Sequence, residues 1–224
     1  MAKKKINRKV VVHQHAMHVP VSKKNPTGTT IRHQHLRNVP SFSISDIEQL
    51  QKSLKKDKAA PRPTVNRLPF LDSDLYDELI TVWMHFFNEK FTKPPVHLLD
   101  PDLFKALLAS ESGFDVNPPG NRKALGIAQI TRPTLKALQD PYGEAKEFIF
   151  KGINQKDLLN PAIAIPLAVR WLFVKRELAT HKLKRIPTVE EIILEYKGML
   201  KSTSPLKEKT LKNFRDNYAK LKDK

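Results

Sequence analysis

The sequence predicts a mostly α-helical domain over residues 69–224, preceded by a basic extension over residues 1–68 that has the pattern of a small β-hairpin. Three observations carry that expectation. Beyond residue 68 apolar side chains recur three and four positions apart, which gathers them on one face of a helix. Helix-start chemistry accompanies them: Asp100-Pro101, Asn160-Pro161 and the capping box from Thr188 to Glu191 each set an oxygen-bearing side chain before a first turn. The two-residue alternation that a half-buried strand needs is scarce in the same region.

In the extension, Val12-His13-Gln14-His15-Ala16-Met17-His18-Val19-Pro20 returns as Arg32-His33-Gln34-His35-Leu36-Arg37-Asn38-Val39-Pro40, an offset of 20 residues. Between the copies Lys23 to Thr29 has turn chemistry, and Val10 to Val12 and Thr29 to Ile31 favour extended chain, so two antiparallel strands are expected. Two strands alone are marginal in water, and these would order against a partner or the main domain. Ser45 is placed to cap a helix to about Lys56, with Ile47, Leu50 and Leu54 on one face. Ala59-Ala60-Pro61-Arg62-Pro63-Thr64 reads as a linker, because its prolines resist both helix and sheet, and the compact domain is expected from about Leu68. Asp72 or Ser73 then caps a helix carrying Leu75, Leu79, Ile80, Trp83, Phe86 and Phe87. Asp100-Pro101 opens one whose apolar face, Leu103, Phe104, Ala106, Leu107 and Leu108, ends at Glu111. A stretch rich in Gly, Pro and Asn from Ser112 to Gly126 reads as a loop. Asn160-Pro161 opens a long apolar helix through Trp171 and Val174, Thr188 one to about Leu200, and Ser204-Pro205 a last one with Leu206, Leu211 and Phe214. Trp83, Phe86, Phe87 and Trp171 are expected in the core.

At 224 residues and 40% apolar content the chain can bury a proper core. The absence of cysteine excludes disulfides, thiolate nucleophiles and cysteine-ligated metal sites together. No apolar run approaches the ~20 residues of a membrane helix. The first residues have the charge of a signal peptide, but only Val10, Val11 and Val12 follow before the histidines, so an export route other than a signal peptide is expected. The net charge of +17 is uneven: residues 1–68 hold 15 Lys+Arg against 3 Asp+Glu, residues 69–181 hold 13 against 14, and residues 182–224 hold 12 against 6. Basic ends around a neutral middle suit polyanions such as nucleic acid, anionic lipid or anionic wall polymers. His13, His15, His18, His33 and His35 raise a metal site, but no carboxylate accompanies them, and neither metal nor cofactor is expected.

Four motifs stand in order: Glu111-Ser112-Gly113-Phe114, Gly126-Ile127-Ala128-Gln129-Ile130, Asp157-Leu158-Leu159-Asn160-Pro161 before a long apolar helix, and Leu194-Glu195-Tyr196-Lys197-Gly198. Together they resemble the soluble lytic transglycosylases, which have a goose-type lysozyme-like fold, over roughly the half of the chain from Asp100 to Tyr218. That family carries Glu-Ser, Gly-Leu-Met-Gln, a segment before a long central helix, and Ala-Tyr-Asn-Ala-Gly. Glu-Ser-Gly alone is common by chance; the order and spacing of all four make the resemblance specific.

The resemblance implies a peptidoglycan lytic transglycosylase that cleaves the β-1,4 bond between N-acetylmuramic acid and N-acetylglucosamine and closes a 1,6-anhydro ring. Glu111 would be the catalytic residue, acid first and base afterwards, which a carboxyl at the rim of an apolar helix suits because desolvation disfavours its charged form. Ser112, Gln129 and Tyr196 would contact substrate or orient the acid. Goose-type lysozymes place an aspartate after their Gly-Leu-Met-Gln-Val segment, and Thr131 stands there in this chain. Two further departures are Ala128 for methionine, expected to open space in the cleft, and Lys197 for asparagine, a cation that meets an acidic peptide stem or faces solvent. The implied partners are peptidoglycan strands, with the basic ends docking on an anionic wall or membrane surface, and a phage assembly or secretion machine delivering the protein to the periplasm or cell wall. A hydrolytic muramidase on the same fold is the near alternative, and a basic polyanion- or nucleic-acid-binding protein with an inactive lysozyme-like module is the distant one.

Overall fold

The computed structural model describes residues 9–12, 15–18, 29–32, 35–38, 40–54, 60–92, 96–119 and 123–223, with side chains from residue 40 onward. In the extension, β1 (Lys9–Val12) pairs antiparallel with β4 (His35–Asn38), and β2 (His15–His18) with β3 (Thr29–Arg32). Val12 lies opposite His35 and His15 opposite Arg32, so both ladders follow one register. The clustering considered for the histidine side chains lies outside the described residues. Among the described residues no group of three or more His, Asp or Glu could hold a metal ion, and no helix is long and apolar enough to cross a membrane.

The folded domain begins well before residue 68. β5 (Ser41–Phe42) pairs in parallel with β8 (Ile149–Phe150), and α1 (Ile44–Leu54) packs on the core with Ile47 wholly buried. Ser43 opens this helix: its hydroxyl accepts from Asp46 N at 3.3 Å while the Asp46 carboxylate accepts from Ser43 N at 2.9 Å. The cap is thus two residues earlier than the expected Ser45. The reason α1 belongs here is chemical. Pro166, inside α5 (Pro161–Leu183), has no N–H to give to the carbonyl four residues back, and Gln51 of α1 donates to that carbonyl, Ala162 O, at 2.7 Å. The expected linker is likewise bound in, since Ala60 and Pro63 are buried and Thr64 hydrogen-bonds Asp102 through both its N–H and its hydroxyl. Prolines here exclude helix and strand without making the segment a spacer.

α5 is the centre. Every residue from Ile163 to Val174 is buried, Arg170 among them with its guanidinium over the Phe91 ring, and α1, α2 (Asp77–Phe91), α4 (Arg132–Gln139) and α6 (Val189–Tyr196) pack around this otherwise apolar stretch. α2 starts at Asp77, later than expected, because residues 71–76 form successive turns and leave Leu71 and Leu75 exposed. α3 (Pro101–Ser112) packs chiefly against α7 (Leu206–Lys222) and touches α2. Between α3 and α4 lies a small hairpin, β6 (Ala124–Leu125) and β7 (Ile130–Thr131), with Leu125 opposite Ile130. The result is a mostly helical domain, as the helical spacing and capping signals predict.

Candidate active site

α3 delivers Glu111. Asp100 caps the helix, accepting from Asp102 N at 3.0 Å, Pro101 fills the first position, and Gly113 ends it at φ +61° with its N–H on Ala109 O. Leu103, Phe104, Ala106, Leu107 and Leu108 are all buried, so Glu111 in the last turn emerges at the edge of the core. The same glycine lies against Phe70, whose ring a Cβ would meet at 3.0 Å.

The second wall is the tight loop of the β6–β7 hairpin. Gly126 and Gln129 both have positive φ, +72° and +47°, and Gly126 O accepts from Gln129 N at 3.0 Å and from its Nε2 at 2.8 Å. Ile127 and Ala128, between them, turn into the core with 0% and 1% exposure, so Ala128 opens no space in the cleft, contrary to the expectation for this position. Ser112 joins the first two motifs: its hydroxyl donates to Ile127 O at 2.7 Å and accepts from Phe114 N at 3.1 Å. That hydroxyl is placed as a tie between helix end and hairpin loop, away from the residues that face the cleft. Thr131 caps α4, accepting from Thr134 N at 3.3 Å and sharing a hydrogen bond with the Thr134 hydroxyl.

The third wall comes from α6, which the Thr188 and Glu191 capping box opens as expected and which stops at Tyr196, short of Leu200, because Gly198 turns the chain at φ +69°. Glu111, Gln129, Thr131 and Tyr196 line one cleft of about 380 Å³, whose remaining walls include Trp171 and Met199. Burial pushes the Tyr196 phenol up from its ordinary value, and the nearby Glu111 carboxylate pushes it further, so it stays a neutral donor. Trp171, expected only as core, also forms cleft wall, with Lys175 over its ring at 4.0 Å.

Lys197 is the residue whose place sequence reasoning missed. Its Nζ stands 2.7 Å from Glu111 Oε1, so it is paired within the cleft and not turned to bulk solvent. The only signal in the sequence was a cation where the resembling family has an amide. Among the described residues lining the cleft, Glu111 is the one acid and Lys197 the one cation.

The family whose description is transglycosylase SLT domain matches residues 96–179, from just before α3 to late in α5. Glu111 and Gln129 lie inside that match, whereas Tyr196 and Lys197 lie beyond it. No curated protein and no solved structure matches the chain.

Proposed function

We propose that this chain, whose residues 96–179 match the transglycosylase SLT domain family, is a peptidoglycan lytic transglycosylase that cleaves the β-1,4 bond between N-acetylmuramic acid and N-acetylglucosamine. The observation that supports this reading is a cleft with one carboxylic side chain, Glu111, flanked by Gln129 and Tyr196, and no second acid among the described residues that line it. Glycosidases that use water or a covalent intermediate need two carboxylates, one to protonate the leaving oxygen and one to activate water or attack carbon. Here one group performs both proton transfers.

Glu111, protonated, donates to the glycosidic oxygen as the bond to muramic C1 breaks and the electron pair leaves with the N-acetylglucosamine oxygen. The resulting carboxylate lies beside the cationic C1 and accepts the proton of the muramic C6 hydroxyl while O6 bonds to C1. A 1,6-anhydro ring forms, Glu111 regains its proton and no water is consumed. Gln129 offers an amide to the sugar's acetamido and hydroxyl groups, and the neutral Tyr196 phenol is suited to hold the carboxyl in place. Thr131 favours this outcome over hydrolysis, since its hydroxyl is used in capping α4 and it brings no anion to hold water.

Mass analysis of muropeptides released from purified peptidoglycan tests the reading. Ends lighter by one water than the reducing sugar are expected, and reducing ends would refute it in favour of a muramidase. Glu111→Gln is expected to lower the rate by about 100-fold or more with an unchanged circular dichroism spectrum.

A further inference from the structure

Lys197 has no part in the chemistry above, yet it sits on the one acid of the cleft at 2.7 Å. Its backbone closes α6, with its N–H on Ile193 O at 3.0 Å, and Gly198 follows at φ +69°, so the root is held and the four-carbon stem is free to swing. The Lys197 and Glu111 side chains are 15% and 17% exposed, so the pair faces the cleft without being closed off from it. They are its charged lining residues and Tyr196 is the other titratable one. An ammonium in such a pair can exchange one carboxylate for another at little net cost, because the charges balance before and after. While the ammonium holds Oε1 of Glu111, that oxygen is engaged and is not free to meet a glycosidic oxygen.

We propose that Lys197 is the receptor for a substrate carboxylate, kept on Glu111 while the cleft is empty and transferred to the glycan when a strand binds, which releases Glu111 for proton transfer. The inference rests on the peptidoglycan reading, because the lactyl arm of muramic acid, or the peptide attached to it, supplies the carboxylate. Released Glu111 takes its first proton from solvent, and none passes from Lys197. The consequence is specificity: a strand without carboxylates leaves the ammonium on the acid and is a poor substrate. Lys197 is thus a specificity-determining and positioning residue, acting on the reaction through Glu111.

The test compares one batch of glycan strands before and after its carboxylates are converted to methylamides. Wild-type kcat/KM is expected to fall about tenfold on the amidated strands, the scale of one charge-assisted contact. Lys197→Arg should keep that preference, whereas Lys197→Asn and Lys197→Met should bring the ratio within about twofold of unity, whatever their absolute rates. Binding measured by calorimetry supplies a readout without turnover. Glu111→Gln should bind untreated strands several-fold more tightly than wild type, because Lys197 no longer has an internal partner, and adding Lys197→Asn should remove the gain. A wild-type ratio that persists in Lys197→Asn, or no tighter binding by Glu111→Gln, overturns the inference. If wild type releases no anhydro ends from either preparation, the proposed activity fails, and the binding arm still decides the role of Lys197.

Discussion

Gly126→Ala probes how the hairpin loop is held against the rest of the site. Gly126 has φ +72°, and a Cβ there would stand 1.9 Å from Leu158 O, in the short 3-10 turn of residues 155–159 that leads into α5. Left-handed backbone costs an alanine about 1–2 kcal/mol. Relieving the overlap requires one of two backbones to move, adding about 1–3 kcal/mol on the scale of overpacked cores. A total near 3 kcal/mol lowers the melting temperature by roughly 6–12 °C in a domain of this size. The matching control is Gly198→Ala, where φ is +69° and nothing lies within 4 Å of the added Cβ. There only the conformational part remains, a fall of roughly 2–8 °C. Thermal unfolding followed by circular dichroism reads both. Equal falls in the two variants would refute the claim that contact with Leu158 makes glycine necessary at position 126. Because Gln129 closes the same loop, Gly126→Ala should also lose more activity than Gly198→Ala when both are assayed well below their transitions.

Gln51→Met should cost about 1–2 kcal/mol in urea unfolding by leaving Ala162 O without its donor, and most of that cost should vanish in a Pro166→Ala background, where an N–H returns to residue 166. Arg185 donates to both oxygens of Glu191, at 2.8 and 2.5 Å, and this pairing holds the Glu191 carboxyl down to about 2 from 4.5. A depressed carboxyl stabilises the fold above its unfolded value and ceases to do so as pH falls from about 4.5 to about 2, so Glu191→Gln should flatten the acid limb of a melting-temperature profile in that window. The pair is at the surface, with Arg185 55% exposed, so solvent screening keeps the effect small. Removing residues 1–39 should spare activity on isolated wall material and reduce its salt-sensitive binding, whereas removal through residue 68 should unfold the domain by stripping Ile47, Gln51 and Thr64; cooperative melting of the longer truncation would contradict this.

The helices were legible because capping chemistry is local. Asp100, Asn160 and Thr188 each accept from an N–H two or three residues on, and such contacts are written in consecutive residues. The domain boundary was not legible, because what holds α1 is a hydrogen bond between Gln51 and a carbonyl orphaned by a proline more than a hundred residues away, and no window of sequence contains both. The β6–β7 hairpin escaped for a similar reason: its strands are two residues each, too short for alternation to register, and its loop is stabilised by contact with Leu158. The motifs single out Glu111, Gln129 and Tyr196, and these three line one cleft. The partner of Lys197 could not be read from them, since pairing across α3 and α6 depends on how two helices meet around α5.

The proposed mechanism asks a single acid to act twice, and α3 is built to hold its backbone still. The helix is anchored far from Glu111, at its first turn, by groups from both ends of the domain. Asp102 accepts from Thr64 and from Lys222, Asp100 accepts from Tyr218, and buried Lys105 reaches Thr64 O and the carboxylates of Asp74 and Asp77 at 2.5–2.8 Å. Lys105 is wholly buried, so these are strong constraints, since an ammonium out of water cannot exchange its partners for solvent. Glu111 stands nine positions after Asp102, about 14 Å along a helix. Over that length the buried residues from Leu103 to Ala109 prevent the rod from bending. In the proposed mechanism the Glu111 backbone therefore stays in place, and only its side chain has to adapt between protonating one oxygen and deprotonating another. The polar clamp lies at the start of α3 and the Glu111–Lys197 pair lies in the cleft at its end, so the contacts that hold the helix and the proposed proton transfer stand at opposite ends of it.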